Sequence, residues 1–99
     1  MKKIIIDTDT GSDDAVALLM ALREPEIEVV AITTVVGNVS TEKGTRNALI
    51  CIELVNNYAP PVYMGMTKPL FRAHRDAVAV HGEDGLGDLG YLKTPTQAI

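Results

Sequence analysis

Two rhythms of apolar residues alternate along this chain, and the alternation predicts its elements. Ile4-Ile5-Ile6 is an unbroken β-branched run, the pattern of a strand in a sheet covered on both faces. It sets strand one at Lys2–Thr8. Residues 15–22 are then dominated by Ala, Leu and Met, strong helix formers, so helix one is expected over residues 13–23, with Pro25 ending it. Its apolar residues run almost all the way round, which predicts a helix largely covered by neighbours. Strand two reads over residues 27–36 and is closed by Gly37-Asn38. Ser40 or Thr41, followed by Glu42, marks the start of helix two, which extends to about Asn57. Along it Ala48, Cys51, Ile52 and Val55 keep the i, i+3, i+4, i+7 spacing of one buried face. Pro60-Pro61 breaks the chain, and Val62-Tyr63-Met64 forms a short strand three.

The order β-α-β-α-β predicts an α/β fold, an open parallel (Rossmann-like) sheet with helices packed on its faces. Asp9, Asn38 and Gly65 then fall at the carboxyl ends of the three strands, where ligands bind in such sheets. From Met66 onward the period dissolves, and Gly82, Gly85, Gly87 and Gly90 crowd together. Residues 66–99 are read as a Gly-rich active-site loop region, because a long loop inside a compact domain is usually a lid or a binding loop. Three parallel strands leave open edges. The expectation is therefore that residues 1–99 are the N-terminal part of a single larger domain, and that the chain associates with further copies of itself.

The chemistry concentrates at the first strand-to-helix junction. Asp7, Asp9, Asp13 and Asp14 lie within eight residues there. Carboxylates so close repel one another unless a positive charge neutralises them, and a hard cation with oxygen ligands is the simplest answer. The plainer reading is that Ser12 or Asp13 caps the helix and that acids favour its positive end. Capping accounts for one or two of the acids and leaves Asp7 and Asp9 unexplained, so a cation site is favoured.

Three templates compete for the stretch. An EF-hand loop read from Asp7 finds its glycine one residue early, at Gly11, and Leu18 where its closing glutamate belongs. Asp7-Thr8-Asp9-Thr10-Gly11 is similar to the signature of haloacid-dehalogenase-like phosphatases, with Asp7 as nucleophile and Asp9 as acid/base. Against it, Asp13 and Asp14 add negative charge where a phosphate would bind. The whole string Asp-Thr-Asp-x-Gly-x-Asp-Asp-Ala-x-Ala-Leu, over residues 7–18, resembles the amino-terminal signature of the inosine–uridine-preferring nucleoside hydrolase family. Val62-Tyr63-x-Gly65 with Pro69-Leu70, and His81-Gly82-Glu83-Asp84-Gly85-Leu86, are similar to later stretches of the same family. Taken without that resemblance, His81 among glycines is an ordinary solvated turn residue.

The resemblance implies an N-ribohydrolase that cleaves the N-glycosidic bond of purine and pyrimidine ribonucleosides, releasing ribose and free base. It implies that Asp9 and Asp14 bind Ca2+, that Asp7 supports that site, and that Asp9 is the general base toward a calcium-bound water. It places Asp13 and Asn38 against the ribose and His81 near the nucleobase. Further calcium ligands come from later segments in the family, so the 99 residues alone are expected to be inactive. The alternatives are a magnesium-dependent phosphatase using Thr33 or Thr34 as phosphate ligand, and a non-catalytic truncated remnant.

Composition narrows the partners. The net charge is −4, whereas nucleic-acid backbones are met by basic faces, so no nucleic acid is expected. No apolar run approaches the about 20 residues of a membrane helix, and the run after Lys2-Lys3 is too short for a signal peptide, so no membrane contact is expected. The single Cys51 cannot form an internal disulfide, which fits a cytoplasmic home. Its place on the buried stripe of helix two makes it a structural thiol.

Overall fold

The computed structural model describes residues 1–66. They form β1 (Lys2–Thr8), α1 (Ser12–Arg23), β2 (Ile27–Thr34), α2 (Thr41–Val55) and β3 (Val62–Met64). The strands make one parallel sheet in the order β1-β2-β3. The Gly-rich region expected over residues 66–99 lies outside the described residues apart from Met66.

The element boundaries follow local chemistry. Glu24, in extended backbone ahead of Pro25, ends α1, and its N–H reaches back to the carbonyls of Met20 and Ala21. Ser40 caps α2, its hydroxyl accepting from the Lys43 N–H at 3.3 Å. Asn56 closes α2 in the left-handed conformation, φ 53°, and its N–H bonds the Ile52 carbonyl. Strand β2 stops at Thr34, two residues short of the expected end, although the Val35 N–H still bonds the Thr8 carbonyl at 3.1 Å.

A register shift carries one consequence for burial. Ile4 pairs with Val29 but Ile5 pairs with Ala31, so Val30 is the extra residue of a bulge. The bulge resets the alternation, which is why Val29 and Ile32, three apart, both enter the core. In that core Ala15, Leu18 and Leu22 of α1 meet Ala48, Leu49, Cys51 and Ile52 of α2 over Val29, Ile32 and Val62 of the sheet. The predicted buried stripe of α2 is therefore present.

Two expectations are corrected. Among the described residues strand β1 is not covered on both faces, since Ile5 is 65% exposed. Helix α1 is not largely covered either: Val16 and Met20 stand out to solvent. The reason is topological. With sequential strands side by side, both crossovers step the same way across the sheet, and like-handed crossovers bring both helices to the same face. Among the described residues the opposite face, with Ile5, Asp7 and Tyr63, carries no helix.

Candidate active site

Strand β1 delivers Thr8 to the edge of the core, and the chain then turns through Asp9, Thr10 and Gly11 into α1. Gly11 occupies the N-cap position in extended backbone, and no side chain caps the helix. Its carbonyl takes the Ala15 N–H at 2.9 Å. Neither Ser12 nor Asp13 is therefore the cap, which removes half of the plain capping reading. The other half stands, because Asp13 and Asp14 lie in the first turn, where the helix dipole favours anions.

That first turn folds Asp14 back over the strand end. The Thr8 hydroxyl donates to Asp14 Oδ2 at 3.0 Å and lies 3.2 Å from the Thr10 hydroxyl. Asp9 is held from the β2 side: the Asn38 N–H donates to its Oδ2 at 2.9 Å. Gly37 packs so tightly on Asp9 that a Cβ there would overlap the carboxylate, so only glycine permits this approach. The turn is tied to α2 by Asn47, whose Nδ2 donates to the Thr10 carbonyl at 3.1 Å.

The Asp9 and Asp14 carboxyl groups lie beside one another, and both are half-buried. The contact with Asp9 is the main reason the Asp14 carboxyl titrates above its ordinary range; burial adds to the rise, the Thr8 hydroxyl opposes it, and the charges of Asp9 and Asp13 add a little more. Two carboxylates in such contact share either a proton or a cation. All the donors are oxygens, which suits a hard cation. Among the described residues no group of three or more His, Cys, Asp and Glu side chains gathers as a metal site. Asp9 and Asp14 thus fit calcium as part of a ligand set, against the about six to eight oxygens that ion takes.

The remaining expected site residues divide. Asn38 is brought to Asp9 through its backbone N–H. Asp13 is exposed beside the pair, one residue before Asp14. Asp7 points to the open face, where it accepts from the Thr33 hydroxyl at 2.7 Å across the β1–β2 pairing. His81 lies outside the described residues. Thr33 is therefore engaged with Asp7, and Thr34 is buried with its hydroxyl 2.7 Å from that of Thr45. The carboxyl ends of the three strands do meet, as the topology predicts: the Gly65 N–H bonds the Thr34 carbonyl, and the Thr41 hydroxyl donates to the Met66 carbonyl at 2.6 Å.

Sequence reasoning passed over Thr8, Thr10, Gly37 and Asn47. The hydroxyls of Thr8 and Thr10 alternate with the acids in the string itself, and that alternation was a usable signal. Asn47 carried none, because an Asn on a helix face says nothing about which carbonyl it reaches.

A profile of the family described as inosine-uridine preferring nucleoside hydrolase matches residues 4–99. The chain belongs to the inosine-uridine preferring nucleoside hydrolase family. It is 51% identical over 90 residues to the inosine-uridine preferring nucleoside hydrolase of Leishmania major, covering 91% of this chain and 29% of that protein. The solved plant nucleoside hydrolase PpNRh1 is 43% identical with a TM-score of 0.83, over 98% of this chain and 32% of that one. A purine-preferring ribonucleoside hydrolase from Gardnerella vaginalis superposes with a TM-score of 0.87 at 35% identity, over 97% of this chain and 31% of that one. The α/β parallel sheet is thus the nucleoside hydrolase fold, and the chain spans under a third of the length of these relatives.

Proposed function

We propose that the protein carrying this chain is an N-ribohydrolase of purine and pyrimidine ribonucleosides, and that Asp9 and Asp14 hold a calcium ion at its active centre. The observation that carries the reading is the Asp9–Asp14 contact at the carboxyl edge of the sheet, in a chain whose family is one of nucleoside hydrolases. A calcium ion held there would supply positive charge that lowers the pKa of a neighbouring water molecule. Asp9, pinned at Oδ2 by the Asn38 N–H, keeps a carboxylate in place to accept that proton. Asp14, pinned by Thr8, holds its carboxylate beside it. Asp13 is exposed next to the pair and available to ribose hydroxyls, and Asn38 is held at Asp9 to assist there. His81 would meet the nucleobase. Glycosyl transfer passes through an oxocarbenium-like state, and the negative charge gathered here suits its positive charge. Asp7 on the open face would act on this centre only at a distance, through β1.

The further calcium ligands would come from outside residues 1–66, so the 99 residues by themselves would be inactive. Nucleoside breakdown in the cytoplasm fits the single buried thiol. Assembly with other copies would cover apolar surface such as Ile5 and Tyr63.

The test is a ribose-release assay on the natural gene product with inosine and uridine, with and without a calcium-selective chelator. Release that stops on chelation and returns with calcium is the expected result. Release indifferent to chelation would remove the ion from the mechanism, and no release from either nucleoside would overturn the activity.

A further inference from the structure

The two threonines interleaved with the acids form a directed chain. Thr8 Oγ1 carries one proton, and its 3.0 Å bond to Asp14 Oδ2 uses it, because an ionised carboxylate only accepts. The 3.2 Å contact between the two hydroxyls then requires Thr10 to donate and Thr8 to accept. The sequence of donors runs Thr10 Oγ1–H to Thr8 Oγ1–H to Asp14 Oδ2. Each bond polarises the next, so the terminal donor to the carboxylate is a stronger one than an isolated hydroxyl.

The chain is also built to stay in place. Thr10 is fully buried and Thr8 nearly so. Thr8 sits in the ladder as the register partner of Thr34, and the backbone of Thr10 is anchored from α2 by Asn47. Both threonines are β-branched, which limits their side chains to few rotamers. Water has little access to the bond between the two hydroxyls, which is buried, whereas the bond to Asp14 is part-buried.

We infer that Thr8, backed by Thr10, is a positioning residue that fixes the orientation of the Asp14 carboxylate for cation capture. The inference rests on the calcium reading of Asp9 and Asp14 and adds to it a residue pair that does not touch the ion. Partners of this kind, hydrogen-bonded to a metal ligand, typically change affinity about ten- to a hundredfold when removed.

Calorimetric titration of the natural gene product with calcium ions tests it. Thr8→Val keeps the shape and the β-branch and deletes only the donor, and is expected to weaken calcium binding about tenfold or more. Thr8→Ser keeps the hydroxyl and is expected to restore most of the affinity. Thr10→Val, which leaves the last bond intact, is expected to give a smaller loss and carries the test if Thr8→Val does not fold. Equal affinity of Thr8→Val and the unaltered protein would overturn the inference while leaving the calcium reading intact. A Thr8→Ser protein as weak as Thr8→Val would overturn it too, since packing of the methyl group would then be the cause. An unaltered protein that binds no calcium would overturn the reading beneath both.

Discussion

The two faces of the sheet are made by the same strands and do different work. Asp7 and Thr8 are neighbours in β1, and the period of two sends them to opposite sides. Thr8 enters the covered face, where it meets Asp14 and Thr10 under two helices. Asp7 goes to the open face and pairs with Thr33, its register partner in β2. Of four acids in one short string, the two that converge are Asp9 and Asp14, separated by a turn and the start of a helix. Adjacency in sequence is a poor guide to adjacency in the site; the turn geometry decides it.

The largest expected effect lies in the pair itself. Asp9→Asn preserves shape and the acceptor for the Asn38 N–H but removes the base. Ribose release from inosine by the natural gene product should fall about a thousandfold, the scale of lost general-base catalysis. A rate within a few-fold of the unaltered protein would place the base elsewhere and remove Asp9 from the chemistry.

The faces should also differ in what they contribute to stability. Ile32 is wholly buried beneath the helices, and Ile32→Ala should cost about 2–5 kcal/mol through lost burial and the cavity left behind. Ile5 is 65% exposed, and Ile5→Ala should stay within about 0.5 kcal/mol. Denaturant unfolding measures both. An Ile5→Ala cost as large as that of Ile32→Ala would show that the open face is covered in the natural protein by a further segment or a second copy, which would sharpen the contrast into a map of that contact.

Cys51 reports the dryness of the covered face. Burial pushes its thiol from an ordinary 9.0 up to about 11, and its sulfur sits 3.8 Å from the Ala15 carbonyl between the helices. The folded pKa is raised, so the associated stability is complete below about pH 9 and is lost as pH climbs through about 11. Thiolate absorbance followed against pH should show that alkaline midpoint in the folded protein and the ordinary one in denaturant. A folded midpoint near 9 would mean that water reaches the gap between α1 and α2.

These contrasts also separate what the sequence could disclose from what it could not. The five elements were legible because their signals are local: β-branched runs, a helix-spaced stripe through Ala48, Cys51 and Ile52, Ser40 as a cap, Pro25 and Pro60 as breaks. The carboxyl-edge placement of Asp9 and Asn38 followed from element order alone. The open face was not legible, since a run of three isoleucines reads the same whether one side or both are packed, and the sheet order that left one side bare is a long-range property. Burial of Val29 with Ile32 depended on a bulge at Val30 that no composition announces. At the site, the acids were visible as charges, but which two would meet depended on the Asp9–Gly11 turn, and the absence of a side-chain cap on α1 came from Gly11 taking that position.

The smallest effect is expected at Asp7, and it is the sharpest discriminator between chemistries. Asparagine in its place keeps a side-chain oxygen to accept from the Thr33 hydroxyl, so the cross-strand contact survives Asp7→Asn. That contact is exposed, and its share of stability is at most about 1 kcal/mol. If Asp7 only supports β1 behind the Asp9–Asp14 pair, ribose release should persist at a rate lowered less than about tenfold, because no general acid–base step passes through it. A protein that used Asp7 as a covalent nucleophile toward phosphate would lose all turnover with the same change. Complete loss of activity in Asp7→Asn with its unfolding curve unmoved would therefore transfer the chemistry to the open face, and the division of labour between the two faces would have to be reversed.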